Sequence, residues 1–96
     1  MFGLDQKVIE KIINIVKEYP EITQVKVFGS RALGNYKNES DIDLVLYGNI
    51  SDNTFKKIIT ELDEISAPYF FDVIVYDTIE HADLKRHIDE YAKVLY

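Results

Sequence analysis

Gly29-Ser30-Arg31-Ala32-Leu33-Gly34 and, after a short polar loop, Ser40-Asp41-Ile42-Asp43-Leu44 form the stretch from which the rest of the chain can be read. Before it, Thr23 to Phe28 is β-branched and alternating around Val25, Lys26 and Val27, which predicts a strand running straight into Gly29-Ser30. Ala32 and Leu33 favour helix and Gly34 suits a stop, so Ser30 to Gly34 reads as one short helical turn. Asn35-Tyr36-Lys37-Asn38-Glu39-Ser40 is the polar loop. From Asp41 to Tyr47 the alternation is strict, with Ile42, Leu44 and Leu46 on one face and Asp41, Asp43, Val45 and Tyr47 on the other.

Working outward, Leu4, Val8, Ile9, Ile12, Ile13, Val16 and Tyr19 recur at helical spacing, with Asp5 as a start signal and Pro20 as a stop. On the other side, Gly48-Asn49 ends the second strand. Ser51 or Asp52 caps a helix whose buried stripe is Phe55, Ile58, Ile59, Leu62 and Ile65, punctuated by Pro68. Tyr69 to Tyr76 is the most β-prone run and predicts a third strand. Thr78 is the expected cap of a last helix with apolar positions at Leu84, Ile88, Tyr91, Ala92 and Leu95. This order predicts one domain over residues 1–96, of the α/β or α+β class, with a small mixed three-stranded sheet and helices packed on one face.

Composition narrows the functions. The chain has no cysteine, which excludes disulfides, zinc–thiolate sites and cysteine nucleophiles. No apolar run approaches the roughly 20 residues that span a bilayer, and Met1-Phe2-Gly3-Leu4-Asp5 lacks the basic start of a signal peptide. A cytoplasmic location without membrane contact is the expectation. Residues 1–40 hold six basic and five acidic side chains, whereas residues 41–96 hold five and twelve. Such an acidic second half argues against an extended nucleic-acid surface, which needs clustered Lys and Arg. Any phosphates handled here need local neutralisation by a metal.

Asp41 and Asp43 project from one strand face roughly 7 Å apart. Two carboxylates held so repel unless a cation lies between them, and hard oxygen donors suit Mg²⁺ or Mn²⁺. The plainer alternative is a pair of solvated aspartates, although Asp is a poor strand former. Asp72 interrupts Phe70-Phe71-Asp72-Val73-Ile74-Val75, where a buried, unpaired carboxylate is costly. If the third strand lies beside the second, Asp72 joins the other two, sharing its face with Phe70, Ile74 and Tyr76; otherwise it pairs with a lysine or accepts backbone hydrogen bonds. Gly29-Ser30 permits a tight turn whose amides, with the serine hydroxyl, suit phosphate oxygens. Arg31 adds a charged donor fork. His81 and His87, six apart, do not share a helix face, so a common metal is not expected. Among the tyrosines, Tyr36 on the motif loop is the one singled out.

Gly29-Ser30, ten intervening residues, Asp41-x-Asp43 and a later strand aspartate together resemble the nucleotidyltransferase superfamily that includes DNA polymerase beta. The fuller Gly-Ser-Arg-Ala-Leu-Gly…Ser-Asp-Ile-Asp-Leu is similar to its minimal (MNT) branch, over nearly the whole chain. The resemblance implies that Gly29 and Ser30, helped by Arg31, hold the β- and γ-phosphates of a nucleoside triphosphate. It also implies that Asp41 and Asp43 bind metal. Asp72 becomes the third carboxylate, binding a second metal and helping to activate the attacking hydroxyl. Mg²⁺, or Mn²⁺, and ATP are then the expected cofactor and substrate. Minimal members pair with small helical HEPN-type proteins as antitoxins, and adenylylation of a toxin tyrosine is one known mode. The expected function is therefore transfer of a nucleoside monophosphate, AMP from ATP, to a hydroxyl of a partner protein. Two alternatives stay open: a non-catalytic antitoxin acting by contact, and an aminoglycoside-type transferase working as a homodimer.

Overall fold

Strand β2 (Ile42–Tyr47) carries Asp43 into the middle of a mixed sheet. In this computed structural model, which describes residues 1–37, 40–65 and 69–96, the strand order is β3-β2-β1-β4. β1 (Gln24–Phe28) runs antiparallel to β2, placing Phe28 opposite Asp43. β3 (Phe71–Val75) runs parallel to β2 and places Asp72 opposite Asp43. A parallel neighbour requires a crossover, and α3 (Asp52–Ile65) supplies it.

The alternation read from the sequence holds on both faces. Ile42, Leu44 and Leu46 of β2, with Val25 and Val27 of β1, face a core closed by Ile9, Ile12 and Val16 of α1 (Gln6–Val16) and by Ile58 and Leu62 of α3. Burying each such side chain contributes roughly 1.5–3 kcal/mol, so this face sets the register. The start of α3 resolves to Ser51, whose Oγ accepts from the Thr54 amide at 3.2 Å. α1 stops at Val16, short of Pro20, and Asp5 precedes it without a side-chain cap. Pro68, and the centre of the loop at Asn38-Glu39, lie outside the described residues.

Two details of the expected architecture need correction. The sheet has a fourth strand, β4 (Lys93–Val94), antiparallel to β1 and extended by the Leu95 amide on the Val25 carbonyl at 2.9 Å. Two residues are too few to show alternation, and Leu95 continues a helical apolar spacing, so the helix reading absorbed them. Nor do the helices all pack on one face. α4 (Ala82–Tyr91) lies on the opposite one, where Ile88, fully buried, meets Phe28 and Val45. Its cap is His81, whose Nδ1 accepts from the Leu84 amide at 3.3 Å. Thr78 ends a 3₁₀ turn, Tyr76–Thr78, with its hydroxyl on the Val75 carbonyl. The face that α4 shares is the one that carries the aspartates.

Candidate active site

Where β1 ends, Gly29 adopts φ +70°, a backbone conformation that side chains disfavour. The turn then opens α2 (Ser30–Leu33), whose amides at Ala32 and Leu33 return to the Gly29 carbonyl at 3.1 Å. Gly34, at φ +86°, ends it in the left-handed cap expected of a glycine. Turn and acidic strand touch. A Cβ on Gly29 would lie 2.2 Å from Asp43 Oδ2, so only glycine lets the carboxylate approach this backbone.

Asp43 is half-buried beside two further carboxylates. Asp72 occupies the same register position on the parallel neighbour, and Asp41 stands exposed just before β2. Burial, reinforced by Asp72 and then Asp41, pushes the Asp43 carboxyl up to about 6, against a smaller pull downward from Arg31. Direct cross-strand apposition of Asp43 and Asp72 is the arrangement that the sequence offered only conditionally. Asp72 also shares its face with Ile74 and Tyr76, packed in the cluster around Val45 and Ile88.

This donor set is all hard carboxylate oxygen, the kind that suits a divalent cation, and its central member is raised by burial first and by the neighbouring carboxylates second. Among the described residues, however, no three such side chains converge on one point closely enough to ligate an ion. Asp41 and Asp72 are both exposed, one just before β2 and the other on β3, so nothing in the protein alone draws them together against their mutual repulsion. Two surface clefts, of about 310 and 270 Å³, lie elsewhere. One is between Tyr19 and Lys57; the other lies along Val73 and Val75 of the β3 edge.

Arg31 is placed differently from expectation. It is only 2% exposed, its Nη1 donates to the Phe2 carbonyl at 2.9 Å, and its Nε and Nη2 donate to the Ser40 carbonyl at 3.3 and 2.9 Å. Tyr36 and Tyr69 flank the guanidinium, with centroids 5.2 and 5.1 Å away. The fork therefore ties the N-terminus and the start of the acidic strand to the turn, and its charge reaches Asp43 from below the surface. Tyr36 belongs to this clamp, also closing against Gly3.

One residue of the site escaped sequence reasoning. The Gly29 amide donates to Nε2 of His87, 3.2 Å away, across 58 positions of chain. The available signal was helical spacing: His87 lies three residues after Leu84 and four before Tyr91, on the sheet-facing side of α4.

The family described as "Polymerase beta, Nucleotidyltransferase" matches residues 10–96. No curated protein matches the sequence significantly. Among solved structures, a toxin–antitoxin complex with AMP-PNP contains a chain that superposes with a TM-score of 0.74 at 19% identity, over 92% of this chain and 72% of that one. The complex of a tri-AMPylated Shewanella oneidensis HEPN toxin with its MNT antitoxin contains another, at TM-score 0.71 and 17% identity, over 97% and 72%. A Sulfolobus solfataricus protein assigned as a nucleotidyltransferase follows at TM-score 0.56 and 23% identity, over 92% and 76%. At such identities these likenesses speak for the fold. With the family matched over nearly the whole chain, and its glycine-serine turn set against its acidic strand, this protein belongs to the polymerase beta nucleotidyltransferase family.

Proposed function

We propose that this chain transfers AMP from ATP to a hydroxyl of a partner protein, as the antitoxin of a HEPN/MNT pair in the cytoplasm. The observation that carries the reading is the contact of Gly29 with Asp43, with Asp72 in register beside it. It sets a turn suited to phosphate oxygens directly against the carboxylates that would manage the reacting end. Supporting it are the neighbours solved with AMP-PNP and with a tri-AMPylated HEPN toxin.

In the reaction, the acceptor hydroxyl oxygen attacks the α-phosphorus in line. The bond from that phosphorus to the α–β bridging oxygen breaks, and pyrophosphate leaves. Ser30 and the Gly29 turn hold the β- and γ-phosphates, fixing the leaving group opposite the attacking oxygen. Asp72, exposed beside Asp43, receives the hydroxyl proton. Asp41, Asp43 and Asp72 would hold Mg²⁺ or Mn²⁺, which when bound neutralises charge on the phosphates. Arg31 keeps Asp41 and the turn in place through the Ser40 carbonyl.

One observation favours a second reading, neutralisation of the partner by contact alone: no three ligating side chains converge among the described residues. ATP labelled at the α-phosphate separates the two. Incubated with Mg²⁺ and an extract of the source organism, wild type should label one protein band, and D41N/D43N should label none. Label that survives in the double variant sinks the assigned catalytic residues. No label with either protein, while both still capture the same partner, establishes the contact reading.

A further inference from the structure

His87 stands on the first amide of the turn assigned above to the phosphates. A backbone N–H directed at one acceptor is not available to a second, and here the acceptor is the imidazole Nε2, 3.2 Å from the Gly29 nitrogen. Accepting through Nε2 requires the tautomer that carries its proton on Nδ1. The amide cannot be re-aimed to serve both partners. Gly29 is held at φ +70° with Asp43 Oδ2 packed where a Cβ would lie, so the direction of its N–H is set by the backbone.

We infer that His87 is an internal ligand of the nucleotide site, occupying on the Gly29 amide the place of a triphosphate oxygen and yielding it when the nucleotide binds. This rests on the reading of Gly29-Ser30 as the phosphate turn. The geometry also says how the ring leaves. Ile88, next in sequence, is fully buried, and Asp89 accepts from the Tyr76 hydroxyl at 2.6 Å, so α4 is anchored by the two residues that follow the contact. The ring meets Phe28 edge-on at 6.4 Å and Tyr91 at 5.4 Å, and Tyr91 is itself half exposed. Rotation of the imidazole toward Tyr91 frees the amide without moving the helix. His87 therefore keeps the turn's half-buried donor satisfied in the free protein, at the cost of weaker nucleotide binding.

The test uses the whole chain with Mg²⁺ and AMP-PNP as the probe. In ¹⁵N-labelled wild type, the N–H···N bond should give a scalar coupling between the Gly29 amide and His87 Nε2, lost when the probe saturates the site. By calorimetry, H87A should bind the probe about two- to tenfold tighter than wild type, the factor one hydrogen bond supplies. H87Q, which keeps an acceptor oxygen at similar reach, should stay close to wild type. A role limited to shaping the turn predicts the opposite sign, weaker binding by H87A. A coupling that persists in the saturated complex, or H87A binding no tighter than wild type, overturns the inference while leaving the phosphate turn standing. Failure of wild type and H87A alike to bind the probe removes the phosphate-turn reading, and this inference with it.

Discussion

At the scale of single residues, Asp43 carries a stability cost at the position where the proposed reaction needs a carboxylate. Its carboxyl is pushed up to about 6, so the folded state holds the proton more tightly than the unfolded chain. The stability contributed by Asp43 is therefore fully present below the ordinary carboxylate range and is lost as pH rises from about 4 to 6, where only the folded state binds the proton. Above that window a half-buried anion faces Asp72 and Asp41. D43N should gain about 1 kcal/mol at pH 7.5 after allowance for solvent screening, a rise of roughly 5 °C in Tm, and gain nothing at pH 3.5; circular dichroism melts at the two pH values check both. Gly29 gives a companion prediction. G29A combines a left-handed strain with a contact on Asp43 Oδ2 and should cost about 2–3 kcal/mol. Paired with D43A, the contact disappears and the cost of G29A should fall to about 1 kcal/mol; G34A, with open space around it, should cost no more than that. A double-mutant cycle in urea reads the difference. Equal costs in both backgrounds would show that the contact plays no part.

Between elements, Arg31 is the tie. Its guanidinium bonds carbonyls from the N-terminal segment and from the residue just before Asp41, between two tyrosine rings. A planar fork cannot be reproduced by an ammonium, so R31K should cost about 2–3 kcal/mol by loss of buried charged hydrogen bonds, seen as a lower urea midpoint at unchanged slope. If R31K is as stable as wild type, the clamp is dispensable. The short α2 depends on the same tie, since isolated helices of four residues do not persist. Arg31 also shows the boundary of what a motif reveals: its presence in Gly-Ser-Arg was legible, but its direction was not. A side chain after a strand end can face ligand or core, and only the packing of Phe2, Tyr36 and Tyr69 decided for the core.

For the molecule as a whole, the carboxylate group and net charge of −6 make divalent cations a stability variable. A cation that binds only the folded state at ten times its Kd adds about 1.4 kcal/mol. Mg²⁺ should therefore raise the Tm of wild type by roughly 5–10 °C at pH 7.5 and leave D41N/D43N unmoved. Equal shifts in both proteins would place the ion elsewhere on the acidic surface. Among the described residues, no helix is long and apolar enough to cross a membrane.

Local chemistry determined what the sequence shows by itself. A period of two put Asp43 and Val45 on one face of β2, with Asp41 just before it, and a glycine after an apolar strand announced the turn. The same parity in β3 aligned Asp72 with Ile74 and Tyr76. These are consequences of bond geometry within a few residues, and they carry the family and most of the candidate site. Tertiary structure alone decided the burial of Arg31, the placement of α4 on the aspartate face, the two-residue strand β4, and the bond from Gly29 to His87. Each depends on which distant surfaces pack together. His87 and Gly29 are 58 residues apart, and no local periodicity specifies that an imidazole on one helix will meet the one amide that a strand end leaves pointing at it.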